Sequence, residues 1–381
     1  MIPLHAASHG GNPWVLLESP AGDPSAVLDF SADLNPLGPP PALGQLLQEA
    51  ASRVPWYPEP TYREFREAAA RAEGVDPAQI LPGNGTADLI RLISRWRAGC
   101  TVLVMTPTFT EYERAAAADR SAVVPWPADE EAGFVHSTRY PVPIGGARIN
   151  PGTEKWGRYS SQMEGGLLFV CNPNNPTGVL WRREQLLELI ALAGRRDAVV
   201  VLDEAYMDFV EDGRRYSLAS LTERNPALLV LRSLTKSFCI PGLRAGYLVG
   251  SPDRVRRLQS VRPPWAMNAM AAFVSARLLE QEQEAWLDST RRQVGLWRSS
   301  LEQDLRVLDW IRPYPAAANF LLCRLLDPAK PGPWLAERLA KRGILIRTCD
   351  DFTGLEPGRF IRLAVRSAEE NRRLVEALQD G

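Results

Sequence analysis

Short apolar runs alternate with amphipathic helical segments between about residues 75 and 250 of the chain. The run Ala198–Leu202 has no polar alternation, which is typical of a strand covered on both faces of a sheet. Thr86–Trp96 and Arg183–Ala193 instead carry apolar residues at helical spacing. Further strands are predicted at Thr101–Met105, Leu167–Cys171, Ala227–Leu231 and Tyr247–Gly250. This alternation predicts an α/β fold with a large, doubly wound and mostly parallel sheet.

The pattern changes beyond about residue 270, where long helices come first and strands follow. Helices are predicted at Ala271–Leu279, Trp286–Leu305, Trp334–Lys341 and Ala368–Leu378, and strands at Asn319–Leu325, Ile344–Arg347 and Phe360–Val365. Ser367 and Glu370 have the spacing of a capping box, which marks the start of the last helix. We therefore predict a large domain of residues 40–265 and a smaller α+β domain formed by residues 266–381 with the N-terminal segment 1–39.

Composition narrows the classes of function. A net charge of −1 gives no electrostatic case for binding nucleic acid or an anionic membrane. No apolar stretch approaches the roughly 18–20 residues of a membrane span. The five cysteines are scattered singly, so neither a disulfide framework nor a metal site is indicated. The first residues, Met1–His5, lack the basic and apolar regions of a secretory signal, and we expect a cytoplasmic protein.

Polar and aromatic side chains follow each predicted strand of the large sheet. In open α/β sheets, ligands bind at the carboxyl ends of the strands, so these groups are expected to surround one site. The segments that follow predicted strands are Thr106–Phe109, Asn172–Gly178, Asp203–Tyr206 and Ser233–Lys236, with Arg244 a little further on. Gly83–Thr86 opens the predicted helix Thr86–Trp96, where backbone N–H groups could bind a phosphate.

Lys236 stands out because only four of the 44 basic residues are lysine. Arginine cannot serve as an amine nucleophile, whereas a lysine among hydroxyl groups suits a Schiff base. Pyridoxal phosphate requires such a lysine, a carboxylate for its pyridine nitrogen, an aromatic ring against its face and donors for its phosphate. Asp203 precedes Lys236 by 33 residues, about one βαβ unit, which places both after strands.

Each element has a structural alternative when it is taken alone. Lys236 could be a surface lysine, Gly83–Gly85 a plain turn, Asp203 a helix cap and Phe109 a core residue. Agreement of all of them at strand ends favours a pyridoxal-phosphate site.

Three of these segments, Asn172–Gly178, Asp203–Tyr206 and Ser233–Lys236 with Arg244, resemble the fold-type I aminotransferase superfamily over essentially the whole chain. The resemblance implies that Lys236 carries the cofactor and that Asp203 pairs with its pyridine nitrogen. It also implies that Asn175 and Tyr206 bond the phenolate oxygen and that Phe109 stacks on the ring. Tyr57 resembles a tyrosine that reaches the phosphate of a partner subunit, which implies a homodimer. The phosphate ligands implied in the same subunit are Gly85, Thr86, Ser233, Thr235 and Arg244.

Further segments resemble the threonine-phosphate decarboxylases of cobalamin biosynthesis: His9–Asn12, Leu28–Ala32, Asn35–Gly38, Pro264–Asn268, Ile344–Arg347 and Ile361–Ser367. The resemblance implies a small phosphorylated amino acid as substrate. Arg362 and Asn175 would contact it, Arg362 through its carboxylate, and Arg347 and His9 would lie near its anionic groups. His9 could instead cap a turn, although the glycines beside it permit close backbone approach; Arg366 fits a structural role better.

The implied reaction is decarboxylation of L-threonine O-3-phosphate to (R)-1-amino-2-propanol O-2-phosphate. Histidinol-phosphate aminotransferases share the cofactor motifs but generally lack the start at His9–Asn12, so transamination stays the alternative. Serine phosphate and a phosphonate amino acid are alternative substrates. A regulator without turnover is disfavoured because the chain has neither a basic surplus nor spare length for a DNA-binding domain.

Residues 127–166 depart from the expected pattern. A doubly wound fold normally has a crossover helix here, but the prolines and glycines of Tyr140–Gly146 and Asn150–Gly152 do not form a regular helix. We predict a loop excursion in this segment.

Overall fold

A computed structural model describes residues 9–17, 22–135, 162–280 and 284–379. The strands are β1 (Leu28–Asp29), β2 (Ile80–Gly83), β3 (Thr101–Thr106), β4 (Ala122–Pro127), β5 (Leu167–Cys171), β6 (Val199–Asp203), β7 (Leu228–Ser233), β8 (Gly246–Val249), β9 (Ile311–Pro313), β10 (Phe320–Leu325), β11 (Ile344–Leu345), β12 (Arg347–Thr348) and β13 (Phe360–Ala364).

Twelve α-helices surround these strands in the described part of the chain. They span Leu43–Ala51, Arg63–Glu73, Thr86–Trp96, Glu111–Ala118, Arg183–Gly194, Gly213–Tyr216, Leu234–Ser237, Pro252–Ser260, Ala269–Leu278, Glu284–Arg306, Gly332–Ala340 and Ala368–Gln379. None of the described helices is long and apolar enough to cross a membrane.

The large sheet has seven strands in the order β2-β8-β7-β6-β5-β3-β4. Strand β8 runs antiparallel to both of its neighbours, and all other pairs that adjoin in this sheet are parallel. Cys171 at the end of β5 is in register with Asp203 at the end of β6, and Asp203 with Leu231 of β7. The carboxyl ends of these three strands therefore meet at one edge of the sheet.

Helices cover both faces of the large sheet, as its apolar strands require. On β6, Val200 and Leu202 pack in one buried cluster with Leu189 of the helix Arg183–Gly194. Val199 and Val201 point to the other face and share a cluster with residues of the helix Thr86–Trp96. Both faces of β6 are thus buried, which confirms the predicted doubly wound arrangement.

The C-terminal part forms a smaller antiparallel sheet in the order β12-β13-β10-β9. The helices Glu284–Arg306 and Ala368–Gln379 pack on it, with Leu301, Leu321 and Leu374 in the shared core. Strand β1 pairs in parallel with β11, so the N-terminal segment joins this part of the chain. This pairing favours the predicted division at residues 40–265 and 266–381, which stays a prediction.

The predicted strand Ile344–Arg347 is split in the structure. Ile344–Leu345 pairs with β1, and Arg347–Thr348 pairs with β13, so the chain passes from one sheet to another at Ile346. The predicted capping box is present, because Ser367 Oγ accepts from the Glu370 N–H and the Glu370 carboxylate accepts from the Ser367 N–H. Most of the predicted loop excursion at 127–166 falls on residues 136–161, which lie outside the described residues.

Candidate active site

A cavity of about 570 Å³ opens where the carboxyl ends of β5, β6 and β7 meet. Its size is ordinary for a small-molecule site. The sequence-predicted residues that line it are His9, Thr86, Phe109, Asn175, Asp203, Tyr206, Lys236, Arg244, Arg347 and Arg362. The fold therefore gathers residues from both ends of the chain into the cavity.

Lys236 lies in the short helix Leu234–Ser237 that directly follows β7. Its Nζ is 3.6 Å from Oδ1 of Asp33 and 5.9 Å from the centre of the Tyr206 ring. The Lys236 carbonyl accepts a hydrogen bond from the Asn35 N–H at 3.0 Å, which ties the lysine's backbone to the N-terminal segment. The amine is thus held beside a carboxylate.

Asp203 ends β6 and is almost fully buried. Its Oδ2 accepts from the Tyr112 hydroxyl at 2.7 Å and its Oδ1 from the Ala205 N–H at 3.0 Å. Burial raises the pKa of Asp203, and the Tyr112 hydrogen bond, the Ala205 N–H and the charge of Lys236 only partly oppose this. A buried carboxylate of this kind fits a protonated pyridine nitrogen, which would stabilise its charged form.

The groups predicted to hold a phosphate lie around the start of the helix Thr86–Trp96. Gly85 has a positive φ of 80°, and a Cβ there would come within 3.0 Å of the Arg244 guanidinium. The glycine therefore lets the arginine approach the helix N-terminus, whose N–H groups and positive end favour an anion. Ser233 Oγ and Thr235 Oγ1 lie 2.8 Å apart just after β7. Gly85, Ser233 and Thr235 are not among the residues that line the cavity.

A buried network connects Lys236 to Arg362 through Asp33, which sequence reasoning missed. The Tyr206 hydroxyl donates to Oδ2 of Asp33, and Arg362 Nη2 donates to Oδ1 at 3.1 Å. Burial alone would raise the pKa of Asp33, but Arg362, Lys236 and the Tyr206 hydroxyl hold it well below its usual range. Arg362 Nη1 also donates to Oδ1 of Asn175 at 2.7 Å.

A second group missed by sequence reasoning lies at the open side of the cavity, around Glu111. Its carboxylate contacts His9 Nε2 at 3.0 Å, Arg114 Nη1 at 2.9 Å and Arg91 Nη2 at 3.5 Å. Next to His9, Gly10 approaches Ser31 so closely that a Cβ would meet the Ser31 carbonyl oxygen at 2.0 Å. His9 reaches the cavity because this glycine lets the two backbones pack together.

Arg347 and Tyr57, which the sequence also predicts as site residues, lie in different surroundings. Arg347 is buried, pairs with both oxygens of Asp351 at 2.7 and 2.8 Å, and lies over the Phe352 ring. Tyr57 lies away from the cavity of its own chain and is 77% exposed. It stacks on Trp265 at a centroid distance of 4.5 Å.

The carboxylates of Asp33 and Glu111 could have been found in the sequence only because each residue lies beside a motif. Asp33 lies in Ser31–Asn35, and Glu111 follows Phe109 by two residues, yet neither position has a spacing that indicates a role. Their contacts depend on packing between distant segments, such as the 329 residues that separate Asp33 from Arg362.

Comparisons with known proteins show which family the chain belongs to. The family "Aminotransferase class I and II" matches residues 25–378. A putative threonine-phosphate decarboxylase of Caldanaerobacter subterraneus subsp. tengcongensis is 34% identical over 91% of this chain and 88% of its own length. The threonine-phosphate decarboxylase of Salmonella typhimurium is 32% identical over 100% of this chain and 98% of its own length. A histidinol-phosphate aminotransferase of the same Caldanaerobacter strain is 31% identical over 85% of this chain and 84% of its own length.

Solved structures agree as well. L-threonine-O-3-phosphate decarboxylase from Porphyromonas gingivalis superposes with a TM-score of 0.78 at 26% identity, over 92% of this chain and 98% of that one. Histidinol-phosphate aminotransferase from Clostridium acetobutylicum gives a TM-score of 0.80 at 24% identity, with the same coverage of 92% and 98%. The predicted fold-type I architecture and pyridoxal 5'-phosphate as cofactor are thereby confirmed. The chain belongs to the class I and II aminotransferase family.

Proposed function

We propose that the protein is a pyridoxal-phosphate-dependent decarboxylase of L-threonine O-3-phosphate, with (R)-1-amino-2-propanol O-2-phosphate as product. The observation that carries the proposal is the distribution of cations in the cavity. Arg362 lies deep beside Lys236 with a side chain only 6% exposed, whereas Arg91 and Arg114 lie at the open side with side chains 65% and 53% exposed. Cations at both ends fit a substrate with a carboxylate at one end and a phosphate at the other.

The cofactor would be held by the residues at the strand ends. Lys236 would carry it, Asp203 would pair with its pyridine nitrogen, and Phe109 would lie against its ring. Asn175 and Tyr206 would bond its phenolate oxygen, for which the Tyr206 hydroxyl would turn its hydrogen away from Asp33. When bound, pyridoxal phosphate accepts the electron pair that a breaking bond leaves on the substrate's Cα. Its phosphate would be held by Gly85, Thr86, Ser233, Thr235, Arg244 and, from the partner subunit, the residue equivalent to Tyr57.

The substrate's carboxylate is assigned to Arg362, with Asn175 keeping the guanidinium oriented through its 2.7 Å hydrogen bond. The distal phosphate is assigned to the open side, where His9 lies beside Arg91 and Arg114, and Arg347 is placed near the substrate's anionic groups. These contacts would fix the direction of each bond to Cα. The Lys236 amine is the group assigned to return a proton to Cα.

Transamination of the histidinol-phosphate type is the second candidate. It is favoured by the comparable similarity to histidinol-phosphate aminotransferases, at 31% identity for the relative named above. Both reactions use the same cofactor contacts and differ in which bond to Cα is perpendicular to the ring. Serine phosphate or a phosphonate amino acid as the substrate would keep the decarboxylation chemistry.

A substrate panel tests the proposal. The protein with cofactor is incubated with threonine phosphate, serine phosphate and histidinol phosphate, each with and without 2-oxoglutarate. We expect carbon dioxide and aminopropanol phosphate from threonine phosphate, independent of 2-oxoglutarate. Glutamate from histidinol phosphate, with no carbon dioxide from either phosphoamino acid, would assign the protein to the aminotransferases. Carbon dioxide from serine phosphate alone would retain the reaction and change the substrate.

The protein is proposed to be a cytoplasmic homodimer. Val54, Trp56, Tyr57 and Trp265, which we call the Tyr57 face, are all exposed. Apolar and aromatic side chains at this density favour burial against another protein surface, and a second copy would bring Tyr57 to its partner's phosphate site.

A further inference from the structure

Arg362 has little hydrogen-bonding capacity left for a substrate. Nη1 donates to Asn175 at 2.7 Å, and Nη2 donates to the Ser31 carbonyl at 2.9 Å and to Asp33 Oδ1 at 3.1 Å. Nε is buried, and no described residue accepts its hydrogen. Nε and Nη2 form one of the two edges of the guanidinium that can bind a carboxylate in a bidentate manner. Ser31 and Asp33 together accept from Nη2, so a carboxylate that binds at this edge competes with Asp33.

Asp33 is fixed in this position by its backbone. The Asn319 side-chain amide donates to the carbonyls of Asp33 at 2.9 Å and of Leu34 at 3.1 Å. Two residues further on, Asn35 binds the carbonyls of Lys236 and Ser237. These bonds hold the backbone of Asp33 and of the two residues after it, and they keep its carboxylate beside Arg362 and Lys236.

The charges around Asp33 keep it an anion. Arg362 and Lys236 are its cationic neighbours, at 3.1 and 3.6 Å, and the Tyr206 hydroxyl donates to its other oxygen. The pKa of Asp33 is lowered despite its burial. A second carboxylate bound to Arg362 would thus lie beside an ionised one, at a place where the side chains of Arg362 and Asp33 are both only 6% exposed.

We propose that Asp33 determines which reaction occurs. It competes with the substrate's carboxylate for Arg362, and its negative charge repels that carboxylate. The repulsion ends when the carboxylate leaves as neutral carbon dioxide. The effect of Asp33 on catalysis rests on the proposed function, whereas its competition for Arg362 does not. Asp33 raises the free energy of the bound acid relative to the state in which the acid's charge has gone.

Asp33 favours the loss of the carboxylate from Cα. The bond between Cα and the carboxylate carbon breaks, its electron pair stays with Cα, and neutral carbon dioxide leaves. One proton then returns to Cα from the Lys236 amine. The negative charge thereby moves away from Asp33. In transamination the carboxylate stays beside Asp33 throughout, so the repulsion is not relieved.

Two unreactive ligands measure the competition directly. 3-Phosphoglycerate and glycerol 3-phosphate both carry a phosphate and lack an amine, but only 3-phosphoglycerate carries a carboxylate. Their dissociation constants are measured calorimetrically on the cofactor-loaded wild type and on Asp33→Asn. We expect Asp33→Asn to strengthen the binding of 3-phosphoglycerate, relative to that of glycerol 3-phosphate, by about tenfold or more. An unchanged or reduced preference for the acid would overturn the proposal.

Glu111→Gln is the matched control, because it removes a carboxylate from the open side of the same cavity. It should change the affinities of both ligands by a similar factor, since both carry the phosphate. The asparagine amide can still accept from Arg362 and donate to the Tyr206 oxygen, so Asp33→Asn retains the contacts of the native side chain. If that variant does not fold, Asp33→Ser is measured in the same way with the same expectation.

Steady-state kinetics with threonine phosphate test the consequence for catalysis. For Asp33→Asn we expect kcat for carbon dioxide release to fall about tenfold or more while KM also falls, which is the signature of lost ground-state repulsion. An unchanged kcat, or a lower kcat with a higher KM, would contradict it. If the wild type releases no carbon dioxide, the proposed function fails, and the ligand preference still decides whether Asp33 competes for Arg362.

Discussion

The Tyr112 hydroxyl donates a 2.7 Å hydrogen bond to Oδ2 of Asp203, and both residues are buried. The Tyr112 ring also stacks on Phe169 at 4.8 Å and meets the edge of Phe109 at 5.6 Å. One tyrosine thus contacts both the carboxylate proposed for the pyridine nitrogen and the aromatic ring proposed for the cofactor's face.

Tyr112→Phe is therefore expected to weaken cofactor binding about tenfold or more, because a hydrogen bond to a charged group contributes roughly 1.5–3 kcal/mol. Without this donor the pKa of Asp203 rises further, and its carboxylate pairs less well with a cation. Cofactor affinity is measured from the absorbance of the lysine-linked cofactor during titration of the apoprotein. The matched control is Tyr247→Phe, since Tyr247 donates to Glu73 outside the cavity. Equal affinities for wild type and Tyr112→Phe would contradict the role of Tyr112.

Arg362→Gln should weaken transition-state binding, measured from the fall in kcat/KM, by about 2–5 kcal/mol, because a desolvated carboxylate loses its charged partner. Arg366→Gln is the control: it removes an arginine four residues away that pairs with Glu370 rather than lining the cavity. A small effect of Arg362→Gln, or an equal effect of Arg366→Gln, would show that the carboxylate is bound elsewhere.

The dimer is tested through the Tyr57 face. Light scattering should give twice the chain mass of 42.3 kDa. Tyr57→Phe should keep this mass while it weakens cofactor binding several-fold, because the variant loses only the hydroxyl that reaches the partner's phosphate. Tyr216→Phe, the same change at a partly exposed tyrosine elsewhere in the chain, serves as the control. A fully active monomer at assay concentration would refute the assignment.

Stability should depend on pH through Glu204, which is buried beside Arg232. Burial raises its pKa to about 7, although Arg232, Ser217 and the Leu218 N–H oppose this. A raised carboxyl pKa stabilises the fold fully below the unfolded value of 4.5, and this contribution is lost as pH rises towards about 7. Glu204→Gln should remove this part of the pH dependence, on the order of a few kcal/mol. Urea denaturation at a series of pH values measures it; identical pH profiles would contradict the raised pKa.

The strand-end residues could be predicted because chain order determines them. Asp203 and Lys236 each follow a buried apolar strand, so a parallel sheet brings them to one edge whatever the loops do. Strands β2 and β4 were missed for a local reason: Pro82, Pro125 and Pro127 argue against a strand, yet both strands lie at the edges of the sheet, where proline is tolerated.

Asp33 and Glu111 could not be predicted from spacing. Asp33 meets Tyr206 and Arg362 only because the N-terminal segment lies between the two sheets, across 173 and 329 residues of sequence. Motif resemblance indicated its neighbours Ala32 and Asn35 but gave no reason to single out a carboxylate. The substrate side of the site depends on such long-range packing, whereas the cofactor side depends on strand ends.

The proposed decarboxylation requires that the bond between Cα and the carboxylate breaks. It is tested most directly by NMR of the wild type with cofactor and threonine phosphate labelled with ¹³C at the carboxylate, in deuterated water without 2-oxoglutarate. We expect the label to appear as carbon dioxide and bicarbonate, and aminopropanol phosphate to carry one deuterium at the former Cα. Label that stays in an organic acid, with deuterium exchanged into Cα or a 2-oxo acid formed, would contradict decarboxylation.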